Sequence, residues 1–190
     1  MEYTQVKTLP LPTSEYLHEC FTYQDGCLYW KRRPEHHFSR HHVCAVWNAK
    51  FAGTRAGRQM VVGYYRQVGL DRVRYLEHRL IAAMHGIPTD RLIDHKDRTG
   101  SNRVENLRPA TQSQNVMNGT GWAKKRERVG THKKKNGTWV AYIRANGAHR
   151  HLGTYKTEAE AVAAREAAER IYYGEFASGG VKPAANLDAG

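Results

Sequence analysis

The chain has 190 residues, with 30 Lys and Arg against 18 Asp and Glu and a formal charge of +12, and its isoelectric point lies near 9.8. That length allows one ordinary domain or two or three very small ones, and the charge favours a polyanion, nucleic acid first, through counterion release. Three cysteines (Cys20, Cys27, Cys44) without C-x-x-C spacing indicate neither a disulfide framework nor a structural zinc ribbon. No apolar run is long enough for a membrane span and Met1 to Pro12 lacks signal-peptide order, so a cytoplasmic protein is expected.

Thr13-Ser14-Glu15 predicts a capped helix to about Phe21, and Asp25-Gly26 between Phe21-Thr22-Tyr23 and Leu28-Tyr29-Trp30 predicts a hairpin. Lys31 to His42 is polar, basic and rich in histidine (His36, His37, His41, His42), and Gly53 to Gly63 is glycine-rich, so residues 31–63 read as mostly loop. Tyr64 to Leu70 has strand composition. From about Leu76 the apolar positions Leu80, Ile81, Ala83 and Met84 follow helical spacing until Gly86 and Pro88.

Between Asp94 and Asn118 the chain is dense in Asp, His, Asn and Thr, the composition of a loop or a site. Gly119 to Gly137 is the most basic run, and residues 121–156 hold ten Lys and Arg against the single acid Glu127. Thr138 to Arg144 and His149 to Tyr155 flank Asn146-Gly147, a strong hairpin signal. Thr157 with Glu160 forms a capping box, Ala161, Ala164, Ala168 and Ile171 make an apolar stripe, and Gly174 supplies the stop. Residues 178–190 lack periodicity and read as a disordered tail.

Phosphodiester hydrolysis needs a base for water, a cation for the charge on phosphate and leaving oxygen, and a geometry that aligns them. Asp94-His95, Glu105-Asn106-Leu107 and Gln114-Asn115 supply suitable groups within about two dozen residues. Asp97 and Asn102 between them read as turn residues, with secondary metal ligation as the alternative. The segment resembles the HNH nucleases of the homing-endonuclease branch, including Glu77-His78-Arg79-Leu80-Ile81 upstream. The resemblance implies a ββα-metal (His-Me finger) fold. It assigns His95 as general base, Asp94 and Asn115 as metal ligands and Asn106 as the brace of the loop, with His78 or Arg79 near the scissile phosphate. It further implies one divalent cation per site, magnesium or its substitute manganese, which suits a carboxylate and an amide oxygen.

Strand alternation places Trp139, Ala141 and Ile143 toward the alanine-rich helix and Tyr142 and Arg144 on the open face, joined by His149, His151, His132 and Lys134. Cationic and aromatic groups on an exposed sheet suit duplex DNA. Val129-Gly130-Thr131, Trp139-Val140-Ala141-Tyr142-Ile143 and Leu152-Gly153-Thr154-Tyr155 resemble the AP2 DNA-binding domain, a three-stranded antiparallel sheet packed on one helix. The expected organisation is an α+β chain. An accessory segment (1–70) with hairpin and loops precedes the nuclease unit (71–119). A basic linker (120–128) carrying Lys124, Lys125 and Arg126 leads to the AP2-like domain (129–177) and the tail. The expected function is a site-preferring, metal-dependent endonuclease on double-stranded DNA. It would act as a monomer in a bacterial or phage-infected cell. Alternatives are a non-catalytic DNA-binding regulator with a vestigial nuclease scaffold and an RNA-binding basic protein.

Overall fold

In a computed structural model, residues 10–60, 65–118, 130–145 and 147–177 are described. Lys124, Lys125 and Arg126 with the whole 120–128 linker, Asn146 and the tail lie outside the described residues. The chain is mixed α+β with small antiparallel sheets. It divides into two units, Met1–His95 with Gly100–Pro109, and Lys96–Thr99 with Ala110–Gly190. Among the described residues no helix is long and apolar enough to cross a membrane.

In the first unit, α1 (Ser14–Cys20) begins where the Thr13 hydroxyl accepts the Tyr16 N–H, and it buries Leu17 and Cys20. Strands β1 (Phe21–Gln24) and β2 (Cys27–Trp30) pair antiparallel. Asp25 and Gly26 both adopt positive φ, 46° and 80°, the backbone that matches strand twist in a two-residue hairpin. A Cβ on Gly26 would stand 2.9 Å from the Arg103 amide nitrogen. The turn can therefore rest on the 102–103 backbone only without a side chain.

Within residues 31–60, the described part of the stretch expected to be mostly loop, about half the chain is regular. A 3-10 turn at Glu35–His37 leads into α2 (His41–Phe51), and β3 (Arg58–Gln59) follows. Cys44, Trp47, Asn48 and Phe51 fall on one helical face, a pattern masked in sequence because Asn48 is polar and buried. Its side chain accepts the Arg33 N–H at 2.8 Å and donates to the Arg33 carbonyl at 2.9 Å. An otherwise orphaned stretch of backbone is thus satisfied.

β3, β4 (Arg66–Leu70) and β5 (Val73–Leu76) form a three-stranded sheet in that order, with Val68 and Leu70 facing the core. α3 (Glu77–Met84) follows at once, stopped by His85 and Gly86. β6 (Leu92–His95) pairs with β7 (Leu107–Ala110). Leu17, Phe21, Leu28 and Val68 share one core with Leu80, Ile81, Ile93 and Leu107, so the segment before residue 70 and the one after it are packed as a single body.

The second unit holds α4 (Gln112–Asn118), then β8 (Thr131–Lys133), β9 (Trp139–Ala145) and β10 (Ala148–Tyr155) in the order β10-β9-β8, with α5 (Glu158–Tyr173) packed on the sheet. The capping box at Thr157 and Glu160 forms in full. The helix buries Ala161, Val162, Arg165, Ala168 and Glu169, whereas Ile171 is 77% exposed. The predicted stripe is therefore rotated. The buried Arg165–Glu169 ion pair at 2.9 Å occupies the face, with Arg165 donating to the Tyr142 carbonyl.

Leu80→Ala is expected to lower stability by about 2–5 kcal/mol and Thr157→Ala by about 1 kcal/mol, both read as shifts in urea denaturation midpoints.

Candidate functional site

Asp94 and His95 end β6, both buried, at 6% and 4% exposure. Arg108, on β7, donates Nε to Asp94 Oδ2 at 3.0 Å, and both partners of this ion pair are buried. His95 Nε2 lies 2.8 Å from Asn102 Oδ1. Asn102 donates its Nδ2 to Glu77 Oε2 at 3.0 Å, which leaves its oxygen to face the imidazole. In the neutral imidazole the proton therefore sits on Nε2 and the lone pair on Nδ1.

The chain continues beyond Asn102. Glu77, at 1% exposure, is ion-paired with Arg55 through both guanidinium ends and accepts the Leu28 N–H at 3.0 Å. Arg55, Glu77, Asn102 and His95 thus form one polar relay from β-sheet edge to imidazole. A carboxylate taken out of water is tolerated only when it is paired and hydrogen-bonded in this manner.

His78, the second residue of α3, packs its ring 5.1 Å from His95 and 5.3 Å from Tyr65. Burial pushes its pKa down to about 3, with nearby charge on His95 and Arg79 acting the same way. Arg79 donates to the Thr89 carbonyl at 3.0 Å and the Arg91 carbonyl at 3.3 Å. It clamps the loop entering β6. Asn106 Nδ2 donates to the Ser101 carbonyl at 2.6 Å, bracing the 101–106 loop.

Asp94, His95, His78, Asn106 and the Arg79 clamp all belong to the first unit. Asn115 belongs to the second, half-buried on α4, where its N–H donates to the Thr111 carbonyl at 2.9 Å. Asp97 makes the expected turn, its carboxylate oxygens 2.9 and 2.7 Å from the Thr99 amide and hydroxyl. The Asp94 carboxylate is a hard oxygen donor that fits a magnesium-like ion retaining most of its waters. Arg108 competes with any such ion for Oδ2.

One group of side chains with ligating atoms within 4.8 Å of one another, Glu19, His36 and His37, lies elsewhere in the first unit. Arg33 Nε donates to His37 Nδ1 at 3.1 Å, which fixes the proton on Nε2, 2.6 Å from Glu19. A metal would have to displace that proton, and the group is accounted for as a hydrogen-bonded bracket.

On the second unit's sheet, Tyr142 faces His151 and Arg144 faces His149 in register, and His132 pairs with Val140. The Tyr142 ring lies 6.0 Å from both His132 and His149. Lys134 stands just past β8, in a turn closed by the Gly137 N–H on its carbonyl. All of these except the half-buried Tyr142 are exposed, apart from Val140, which is buried. The structure brings the expected aromatic and cationic groups onto one face. Trp139, read as core, is only half-buried.

Arg55 and Arg108 are not singled out by the sequence, and the roles of Asn102 and Glu77 in holding His95 are not visible in it. A carboxylate opening an apolar helix reads as a dipole partner, and nothing in the spacing ties Glu77 to an arginine 22 residues earlier. Comparison of the chain with family models, with curated proteins and with solved structures gives no match.

Because His78 stays neutral when folded but takes a proton when unfolded, stability is expected to fall by up to about 1.4 kcal/mol per pH unit on acidification from about pH 6.5 to about 3. Urea titrations at a series of pH values should show that slope reduced in His78→Phe.

Proposed function

We propose that the chain is a metal-dependent endonuclease of the HNH type acting on double-stranded DNA. The observation that carries the reading is the tethered imidazole at the end of β6. His95 adjoins a carboxylate, and its tautomer is set by Asn102, itself set by Glu77. A general base must be oriented and must present the right ring nitrogen, and a carboxylate-backed hydrogen-bond chain does both. His95 Nδ1 would take the proton of the attacking water, while Asp94 would hold a divalent cation. When bound, that cation supplies charge neutralisation on the phosphate and the departing oxygen.

The AP2-like sheet supplies the docking surface in this reading. Tyr142, Arg144, His132, His149 and His151 would meet the duplex, with Lys134 beside them, and the 30 Lys and Arg of the whole chain supply the long-range attraction. Contacts of this kind fix register, while base-edge contacts give sequence preference.

A second reading, a DNA-binding regulator on a vestigial nuclease scaffold, is favoured by one observation: Asp94 already has a buried counter-ion in Arg108 and His95 is nearly inaccessible. Plasmid relaxation with magnesium separates the two. Under the nuclease reading the wild type relaxes supercoiled plasmid, and His95→Ala and Asp94→Asn abolish turnover while gel-shift affinity stays near normal. Asn is chosen at 94 so that Arg108 keeps an acceptor. A wild type that binds duplex but cuts nothing across magnesium, manganese and calcium overturns the nuclease reading in favour of the regulator.

Arg144→Ala is expected to weaken duplex binding and flatten the salt dependence of log K by about 1, measured by fluorescence anisotropy across a salt series.

A further inference from the structure

The first unit carries a shallow, solvent-open groove of about 470 Å³ between α2 and the open face of the β3-β4-β5 sheet. Trp30, Trp47 and Phe51 provide its aromatic wall and Arg55, Arg58 and Arg74 its cationic one, with no carboxylate in the lining. Register explains the second wall. Arg58 stands opposite Gln67, and Arg74 opposite Gly69, so these four share the sheet face that Val68 and Leu70 turn away from. A Cβ at Gly69 would meet nothing within 4 Å, so the floor of the sheet is open there.

The Trp30 and Trp47 rings meet edge-to-face at 4.9 Å, and Phe51 lies 5.1 Å from Trp47. Arg55 is anchored by Glu77. Arg58 and Arg74 are exposed, and neither makes a side-chain hydrogen bond or ion pair with a described residue. An aromatic wall beside two uncompensated guanidinium groups is complementary to a group with one flat apolar face and an anion attached.

We infer that this groove receives an unpaired nucleotide of a DNA strand, its base against Trp47 and Phe51 and its flanking phosphates on Arg58 and Arg74. The inference rests on the DNA reading above and adds to it a single-stranded element. Base–aromatic stacking tolerates any base and is the usual means of holding an unpaired strand, with cationic residues tracking its backbone. Extrusion of a nucleotide from a duplex supplies the same chemistry. Arg55 joins the groove wall to the Glu77–Asn102–His95 relay, so the occupant would sit one polar chain away from the candidate base.

The test uses the full chain and a fluorescein-labelled short oligothymidylate, read by anisotropy. Arg58→Gln/Arg74→Gln, two exposed positions, is expected to bind it about tenfold more weakly, with a salt slope smaller by about 1.4. The charge-matched control Arg103→Gln/Arg170→Gln should lose less than about twofold in the same assay. An abasic strand of equal length should bind the wild type about tenfold more weakly than oligothymidylate. Equal loss in both double variants, or equal affinity for the abasic strand, overturns the proposal. So does thymidine monophosphate competing at the same concentration as the oligonucleotide, which would make the groove a free-nucleotide site. Loss of plasmid relaxation in the wild type would remove the nuclease reading and leave these outcomes standing.

Discussion

The first unit is organised around a buried carboxylate. Glu77 sits at the start of α3 with 1% of its surface exposed, and three partners from distant parts of the chain converge on it: the Arg55 guanidinium, the Leu28 amide and the Asn102 side chain. Burying a charge is costly unless each lone pair is met, and the loss of one partner from such a pair is strongly destabilising. The consequence is geometric. The hairpin strand β2, the β3 approach, α3 and the 101–106 loop are pinned to a common point, and His95 takes its orientation from that point.

Much of this arrangement could be read from sequence where the signal was local. The Asp25-Gly26 turn, the Thr13 cap and the Thr157–Glu160 capping box depend on residues a few positions apart, and each formed as expected; the alternation in β9 holds from Ala141 to Ala145 but not at Trp139 and Val140. What stayed hidden depends on distant partners. Helix α2 was obscured because its buried face includes Asn48, whose value lies in two hydrogen bonds to Arg33. The apolar stripe on α5 was drawn through Ile171 because Arg165 and Glu169 look like solvated residues, whereas their mutual pairing lets both be buried. Asn102 resembles a turn residue in sequence for the same reason: hydrogen-bond partners 7 and 25 residues away leave no periodic trace.

Of the candidate site, the residue types were legible and their roles were less so. Asn106 braces its loop through the Ser101 carbonyl, yet it is Asn102 that holds the imidazole. Arg79 closes on two carbonyls of the 89–91 segment, and so shapes the approach to β6. Neither distinction follows from spacing, because several amides and cations within one short segment are interchangeable until the backbone chooses among them.

The seat of Gly26 on the Asn102–Arg103 backbone bears on how this unit can be cut or recombined. Excising residues 71 onward as a minimal fragment would strip away Arg55, the Leu28 amide and the hairpin tip that backs the Asn102 loop, along with half the apolar interior. The body can therefore be transplanted only whole: what looks like an optional leader in one dimension is, in three, one half of a clasp.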